Sequence, residues 1–203
     1  VVIEESKSES DGEIYSFSNG LSSDNLEILE IPNFGSAMDR FNPDEAARVR
    51  WTFDGQEIFK SGVRAMAQAS AEAIEKSGLS KEDVDIFIPH QANIRIVEAL
   101  EKKLGLPNAT TIKKVHRYGN TSAASIPTAF VDALEEGEIK GGEIAVFTAV
   151  GAGLAWGACA VRLGDRVTPI NKSDAKLPDF DGTATDTIKR AIEYQVPDKL
   201  DKI

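Results

Sequence analysis

Apolar and polar positions alternate in the first part of the chain, in the pattern typical of half-buried β-strands. The alternation runs through residues 13–18 and again through 25–31. The turn-forming pairs Asn19-Gly20 and Pro32-Asn33 follow, and we expect them to end these strands. The opening run Val1-Val2-Ile3 is apolar from its first residue, so we expect a strand there that belongs to something larger.

The spacing of apolar residues then changes to that of helices. Asn42-Pro43-Asp44-Glu45 offers an N-cap, a proline for the first helical position and early acidic residues, which together predict a helix start. A second helix is predicted from about Gly55 to a stop at Ser77-Gly78. Its apolar face comprises Ile58, Phe59, Val63, Met66, Ala67, Ala69, Ala73 and Ile74. The small alanines on this face predict close packing.

From residue 84 onward, predicted strands and helices alternate along the chain. The strands are 84–88, 143–150 and 156–163, and the helices are 94–104, ended by Gly105, and 121–135, ended by Gly137. Short β-branched strands separated by helices indicate a layered α/β domain.

The last forty residues have a different composition, rich in Asp, Lys, Thr and Pro, with one weak helical stretch at 183–195. We therefore predict a domain at 1–163 and a surface-lying C-terminal extension at 164–203. The alternative is a partly ordered tail with no role.

Charge and composition exclude several classes of protein. The formal net charge of the 203-residue chain is −10 and its pI is about 4.8, so a general nucleic-acid binder is not expected. Cys159 is the only cysteine, which excludes an internal disulfide. No apolar run approaches the roughly 20 residues of a membrane span, and no secretory leader opens the chain. We expect a cytoplasmic protein that binds neither nucleic acid nor membrane.

Three places carry polar or glycine residues where a predicted strand ends. His90 and Asn93 follow the strand at 84–88, and Asn120 lies just before the predicted helix at 121–135. The turn Gly151-Ala152-Gly153 follows the strand at 143–150. Ligands in α/β folds bind at such strand ends. We expect the three places to converge.

Each of these places also has a purely structural interpretation. His90 could serve as a hydrogen-bonding group in the core, and Asn120 could hold a turn or cap the next helix with Thr121 or Ser122. The glycines could only permit positive φ angles, since no complete dinucleotide-binding fingerprint surrounds them. Two distant histidines and one cysteine make no recognisable metal site. Cys159 itself has the pattern of a buried, inert thiol.

Taken together, these motifs carry a specific resemblance. The strings PHQANIRI, GNTSAASIP and GAGLAWGACAVRL, in this order, resemble the C-terminal half of β-ketoacyl-acyl carrier protein synthase III, and so does DGQEIFK before the long helix. The resemblance covers residues 1–163. It implies the thiolase-like fold, in which two similar α/β halves each have a layered mixed sheet flanked by helices.

The resemblance also implies a chemistry. In this family a cysteine of the first half takes an acyl group from acyl-CoA, and a histidine and an asparagine of the second half act on malonyl-acyl carrier protein. His90 and Asn120 match these two positions, as hydrogen-bond donors to the thioester oxygen during decarboxylation. The turn Gly151-Ala152-Gly153 matches the loop whose backbone N–H helps form the oxyanion hole, provided that the backbone conformation suits Ala152. No metal or other cofactor is expected.

A docking surface follows from the same resemblance. Arg95, Lys102 and Lys103, with Lys60, match the basic patch that faces carrier protein and CoA, and Lys113, Lys114 and Arg117 are expected to add positive charge. The alternative is an ordinary solvated helix face. Matched substrate-pocket positions are Asn93, Gln56 and Phe59, of which Phe59 lines the channel or simply packs. A homodimer is implied as well.

The chain departs from the family because Cys159 lies in the wrong motif to be the nucleophile, and because the extension at 164–203 goes beyond the family's usual end. We therefore expect an N-terminal half that bears the catalytic cysteine, with this chain as a fragment of a full synthase or as one member of a split or proteolysed pair. Condensation is expected only when both halves are present. Two alternatives stay open: a related condensing enzyme of specialised metabolism, and a non-catalytic partner subunit.

Overall fold

The computed structural model describes residues 5–8, 10–24, 26–31, 52–165, 167 and 182–195. The predicted strand at 1–3, the turn at Pro32-Asn33 and the helix start at 42–45 lie outside the described residues. The chain divides into two compact units, one comprising Val1–Glu30 with Trp51–Ile170 and the other Ile31–Arg50 with Asn171–Ile203. The predicted boundary at residues 163 and 164 stays a prediction.

The first unit contains a five-stranded mixed sheet. Its strands, in spatial order, are β1 (Glu13–Leu21), β7 (Ala155–Arg162), β6 (Ile144–Gly151), β4 (Ile86–Pro89) and β5 (Thr110–Thr111). Strand β4 runs parallel to both β5 and β6, whereas β1, β7 and β6 pair antiparallel. A two-stranded ribbon joins β2 (Leu29–Glu30) to β3 (Thr52–Phe53). The mixed α/β sheet predicted from the sequence is confirmed.

Helices cover both faces of this sheet. They are α1 (Gly55–Lys76), α2 (Ile94–Leu104), the single turn α3 (Val115–Tyr118) and α4 (Ser125–Glu135), with 3₁₀ turns at Leu26–Ile28, Lys81–Asp83 and Ser122–Ala124. The second unit contains α5 (Ala184–Gln195), which matches the helix predicted at 183–195. None of the described helices is both long and apolar enough to cross a membrane.

Two apolar clusters lie on opposite faces of the sheet. Met66 of α1 and Leu100 of α2 pack with Phe87 of β4 in one cluster. Ala129 of α4 packs with Ile86, the neighbour of Phe87 along the strand, in the other. Because successive strand residues point to opposite faces, α1 and α2 cover one face and α4 covers part of the other.

Helix α1 forms as its sequence predicts. The Asp54 carboxylate caps it by accepting hydrogen bonds from the backbone N–H groups of Gln56 and Glu57, which stabilises such a helix by about 1 kcal/mol. Its small residues allow close packing, since Ala69 and Ala73 are fully buried against Ala158 of β7.

The Asn19-Gly20 pair does not form the predicted turn. Both residues lie inside β1, opposite Gly157 and Trp156 of β7. A Cβ atom at Gly20 would lie 2.6 Å from the Trp156 ring, so glycine is required there for close approach of two strands. The alternation at 25–31 was also misleading, because the described residues there form a 3₁₀ turn and the two-residue strand β2.

The helix predicted at 121–135 begins four residues later. Its first residue is Ser125, preceded by the 3₁₀ turn, and neither Thr121 nor Ser122 caps a helix through its side chain. The segment between α3 and α4 is therefore a loop with its own conformation, which determines where Asn120 lies.

Candidate active site

His90 lies at the end of the sheet where the parallel strands β4 and β6 have their C-terminal ends. It directly follows β4, and its backbone N–H donates a hydrogen bond of 2.7 Å to the carbonyl of Thr148 on β6. Strand β6 continues for three residues beyond Thr148, and the third is Gly151, the first residue of the glycine turn. At about 3.3 Å per residue, that turn begins about 10 Å farther along the strand than the level of His90. The C-terminal ends of β4 and β6 thus lie at the same end of the sheet.

The His90 ring is half-buried, with one nitrogen facing the protein. Nδ1 lies 2.6 Å from Oγ of Ser125, the first residue of α4. Burial lowers the pKa of His90 below the ordinary histidine value of 6.5, so the imidazole is neutral near pH 7. The ring can therefore act as a neutral hydrogen-bond donor or acceptor at Nε2.

Asn120 lies in the exposed loop between α3 and the 3₁₀ turn. Its Oδ1 accepts a hydrogen bond of 2.9 Å from the backbone N–H of Ser122, which has a positive φ of 53°. The carboxamide oxygen thus holds a turn, as the structural interpretation of the sequence proposed. Because the oxygen is used in this way, the Nδ2 group is the part of the amide left to meet a ligand.

Gln91 joins the segments that carry His90 and Asn120. Its side chain is 2 % exposed, and Nε2 donates to the carbonyls of Pro89 and Ile112 at 2.7 and 3.2 Å. Its Oε1 accepts from the backbone N–H groups of Lys114 and Val115 at 2.9 and 3.2 Å. The end of β4 is thereby tied to the start of α3, five residues before Asn120.

Gln91 and Ser125 were missed as functional candidates by the sequence analysis. Both stand inside motifs that carried the resemblance, but nothing in the local pattern shows that either is buried. Apart from the Pro89 carbonyl, their hydrogen-bond partners lie 21–35 residues away along the chain. The available signal was a glutamine two residues after the end of an apolar strand.

Glycine is required at one position of the glycine turn, Gly153. Gly153 has φ of +140°, and a Cβ atom there would lie 2.8 Å from the backbone nitrogen of Ala155. Gly151 does not have a positive φ, and among the described residues other than glycine only Ser122 does. Ala152 therefore has no positive φ, so the left-handed conformation that would disfavour alanine is not required of it.

Comparison with known proteins gives the family. Residues 74–163, which include His90, Asn120 and the glycine turn, match the family model for the C-terminal part of 3-oxoacyl-[acyl-carrier-protein (ACP)] synthase III. β-Ketoacyl-[acyl-carrier-protein] synthase III 2 of Vibrio cholerae is 48% identical over 177 residues, which are 86% of this chain and 48% of that protein. The chain belongs, through this C-terminal region, to the β-ketoacyl-acyl carrier protein synthase III family.

Solved structures of the synthase III family share the fold. β-Ketoacyl-[acyl carrier protein] synthase III of Thermus thermophilus matches 75% of this chain over 46% of its own, with a TM-score of 0.63 and 38% identity. The priming β-ketosynthase of the R1128 polyketide pathway matches 75% of this chain over 45% of its own, with a TM-score of 0.69 and 31% identity. The chain spans about half the length of the relatives that it matches.

The basic residues matched to the synthase III docking patch are spread along the structure. Arg95 is exposed in the first turn of α2, whereas Lys102 and Lys103 occupy the last turn. Seven residues of helix separate Arg95 from Lys102, or about 10 Å. Asn93 caps α2 by accepting from the Ile96 N–H at 3.0 Å. Of these residues, Asn93 and Arg95 lie at the start of α2, three and five residues after His90.

Two of the matched synthase III pocket residues and a lysine belong to the start of α1. Gln56 and Lys60 are exposed, and Lys60 lies 3.9 Å from Glu57, which leaves its ammonium group largely solvated. Phe59 is half-buried and packs against the core cluster of α1 and α2. Packing is thus one role of Phe59.

The expectation of added positive charge from Lys114 is wrong. Lys114 is 6 % exposed, and its Nζ lies 2.5 Å from Glu136 and 3.0 Å from Glu138. Burial opposes its charge, but the hydrogen bonds that it donates to the two carboxylates, with their negative charge, outweigh burial and raise its pKa. Lys114 is an interior ion-pair partner that fixes the segment before α3.

The same correction applies to Lys113 and Arg117. Lys113 lies 2.6 Å from Glu101, and Arg117 lies 2.6 Å from Glu136 and 2.9 Å from Asp132. These pairs neutralise the cations locally, because each sits against at least one carboxylate. The Arg117 pairs connect α3 to the C-terminal end of α4, and the Lys113 pair connects the segment before α3 to α2.

Cys159 has the environment of an unreactive thiol, as the sequence indicated. It lies in the middle of β7, between Phe17 of β1 and Phe147 of β6. Burial raises its pKa, so little thiolate is present near neutral pH. Within the described residues, no group of three or more His, Cys, Asp or Glu side chains is placed to hold a metal ion.

Proposed function

We propose that this chain supplies the decarboxylation site of a β-ketoacyl-acyl carrier protein synthase III. The complete synthase condenses an acyl group, taken from acyl-CoA by a cysteine on a partner half, with malonyl-acyl carrier protein. Its product is a 3-oxoacyl-acyl carrier protein for fatty acid synthesis. The substrates are the two thioesters, and no further cofactor takes part.

The chemical step needs hydrogen-bond donors that are already in position. When the bond between the malonyl α-carbon and its carboxylate breaks, CO₂ leaves and the electron pair delocalises onto the thioester oxygen. The resulting enolate carbon attacks the acyl-cysteine carbonyl, and the cysteine thiolate departs. Donors aimed at the thioester oxygen stabilise the developing negative charge in the transition state.

His90 and Asn120 support this proposal through one shared feature. Each uses one polar atom of its side chain for a contact inside the protein, Nδ1 with Ser125 and Oδ1 with Ser122. The other nitrogen of each side chain, Nε2 and Nδ2, is left to meet the thioester. Asn120 has no titratable proton, so it serves by polarisation and not by proton transfer.

Replacing His90 by alanine in the complete synthase separates the two half-reactions. CO₂ release from malonyl-acyl carrier protein should fall by about 10²–10³-fold, the range for loss of one oxyanion donor. Acylation of the cysteine by acyl-CoA should persist, because that step does not use the imidazole. Radiolabelled CO₂ release and intact mass of the acyl-enzyme measure the two steps.

His116→Ala provides the matched control, since His116 is exposed and is the chain's other histidine. It should leave both steps unchanged. Undiminished CO₂ release by the His90→Ala synthase would remove His90 from the proposed role.

A related reaction in specialised metabolism is the second candidate. The likeness to the R1128 priming β-ketosynthase favours it, because that structure matches this chain as well as the synthases do. Product mass with malonyl-acyl carrier protein and different acyl-CoA primers distinguishes the two functions.

The proposed synthase also has a docking partner, an oligomeric state and a cellular location. Acyl carrier protein, which is acidic, docks beside Arg95 at the start of α2, and the complete synthase is a cytoplasmic homodimer. The exposure of Arg95 on an otherwise acidic chain supports the docking site.

A further inference from the structure

Ser125 and Gln91 form a hydrogen-bonded bridge beside His90. Ser125 Oγ lies 2.6 Å from Nδ1 of His90 and accepts a hydrogen bond of 3.2 Å from the backbone N–H of Gln91. The serine is 3 % exposed, so water does not readily substitute for these partners. The bridge joins the first residue of α4 to the end of β4.

The position of the proton between Nδ1 and Oγ follows from counting donors and acceptors. If Nδ1 carried the proton, Oγ would accept from both Nδ1 and Gln91, and its own hydroxyl proton would need another acceptor. Among the described residues, the partners of Ser125 Oγ are His90 and Gln91 alone. A buried hydroxyl proton without an acceptor is unfavourable.

The opposite arrangement satisfies every group. Gln91 N–H donates to Oγ, the hydroxyl of Ser125 donates to Nδ1, and Nδ1 accepts. A neutral imidazole with an unprotonated Nδ1 carries its proton on Nε2. Nε2 then presents an N–H on the side of the ring away from Ser125.

We propose that Ser125 is a positioning residue that fixes His90 in its Nε2–H tautomer, with the Gln91 N–H orienting the Ser125 hydroxyl. This inference rests on the proposed function in one respect, since Nε2–H is the donor that polarisation of the malonyl thioester requires. An imidazole held in the wrong tautomer presents a lone pair, which would repel the developing oxyanion.

The tautomer can be read directly by long-range ¹H–¹⁵N correlation spectra of the imidazole rings in the 203-residue chain. His90 and His116 are its only histidines, so a His116→Gln variant assigns both rings. We expect the His90 ring at pH 7.5 to show a protonated Nε2 and an unprotonated Nδ1. A wild-type His90 protonated on Nδ1 overturns the proposal, whatever the variants do.

Three substitutions test the role of the hydroxyl. Ser125→Ala should convert the single tautomer into a mixture, and Ser125→Thr, which keeps the hydroxyl, should restore it. Ser70→Ala is the matched control, because Ser70 is also a fully buried helical serine, bonded to the Met66 carbonyl and not to a histidine. A folded Ser125→Ala chain with an unchanged Nε2–H tautomer would contradict the proposal.

Kinetics of the complete synthase test the positioning role separately from packing, because they separate an effect on kcat from one on KM. Ser125→Ala should lower kcat for malonyl decarboxylation by about tenfold, the equivalent of one ordinary hydrogen bond, with KM unchanged. Equal activity of the serine, threonine and alanine forms would contradict the positioning role. If His90→Ala instead leaves decarboxylation intact while the spectra show the expected tautomer, the proposed function fails and the tautomer assignment stands.

Discussion

At the residue scale, the site depends on how polar side chains divide their hydrogen bonds between protein and substrate. Asn120 accepts the Ser122 N–H with its oxygen, and in the proposed function its amide nitrogen is the donor to the substrate. His90 gives Nδ1 to Ser125. Internal contacts of this kind hold a donor in place before the reaction, so little reorganisation is needed when charge develops.

Replacing Asn120 by aspartate removes the amide hydrogen-bond donor and keeps the turn to Ser122. The carboxylate retains an oxygen for the Ser122 N–H but has no N–H for the thioester, and its charge repels the enolate. We expect malonyl decarboxylation by the complete synthase to fall by at least about 10²-fold. Steady-state CO₂ release measures the loss.

Ser122→Ala is the control for this substitution, because the turn uses the backbone N–H of Ser122 and not its hydroxyl. It should retain most of the activity. An Asn120→Asp synthase as active as wild type would show that the amide donor is not needed.

At the element scale, Gln91 ties three segments together through a side chain with four hydrogen bonds. It contacts the ends of β4 and β5 and the backbone just before α3. The ion pairs of Lys114 and Arg117 hold the same segment against α4. The segment that leads into the Asn120 loop is thereby held against both β4 and α4.

Gln91→Leu should therefore destabilise the chain strongly. The substitution leaves two buried carbonyls and two N–H groups without their partner, which costs about 3 kcal/mol or more in the free energy of unfolding. Urea denaturation of the 203-residue chain measures it. Gln68→Leu, on the exposed side of α1, is the control and should change stability by less than about 0.5 kcal/mol. Equal stability of the two variants would show that Gln91 does not hold these segments together.

Elements with local signals were predictable from the sequence. Helix α2 was predicted with its observed bounds because the Asn93 cap and the left-handed Gly105 are adjacent to it in sequence. The turn predicted at Asn19-Gly20 was wrong. Glycine is needed at position 20 because the Trp156 ring lies against it, and Trp156 is distant in sequence and pairs with Gly20 only in the folded sheet. The motifs located His90 and Asn120, but the hydrogen bonds of Gln91 and Ser125 depend on tertiary contacts that the pattern does not contain.

At the scale of the whole molecule, the C-terminal ends of the parallel strands lie at one end of the sheet while α1 and α2 cover one face. This arrangement places His90 at the end of β4, beside β6, the strand that leads into the glycine turn. The half-buried His90 also makes the stability of the fold depend on pH.

The stability of the chain should fall as pH decreases from about 7 to 5. The pKa of His90 is lower in the folded state than its ordinary 6.5, so the unfolded chain binds a proton first. The contribution of His90 is thus complete above pH 6.5 and is lost as pH falls through the folded pKa. The lowered pKa values of Glu136 and Asp83 act in a lower range, below 4.5 and 3.8.

Urea midpoints at pH 7.5 and 5.5 measure this effect. The wild-type chain should lose more stability between these values than a His90→Gln chain, which lacks the titrating group. A His90→Gln chain with the same pH dependence would show that burial of His90 is not its source.

The central claim is that this chain provides the donors for decarboxylative condensation. The most direct test is the intact mass of acyl carrier protein after the complete synthase has been incubated with acyl-CoA and malonyl-acyl carrier protein. Wild type should convert the malonyl form to the 3-oxoacyl form, with loss of CO₂ and free CoA. The His90→Ala/Asn120→Asp synthase should stop at the acyl-enzyme. Product formation by the double variant at the wild-type rate, or none by wild type, would contradict the account.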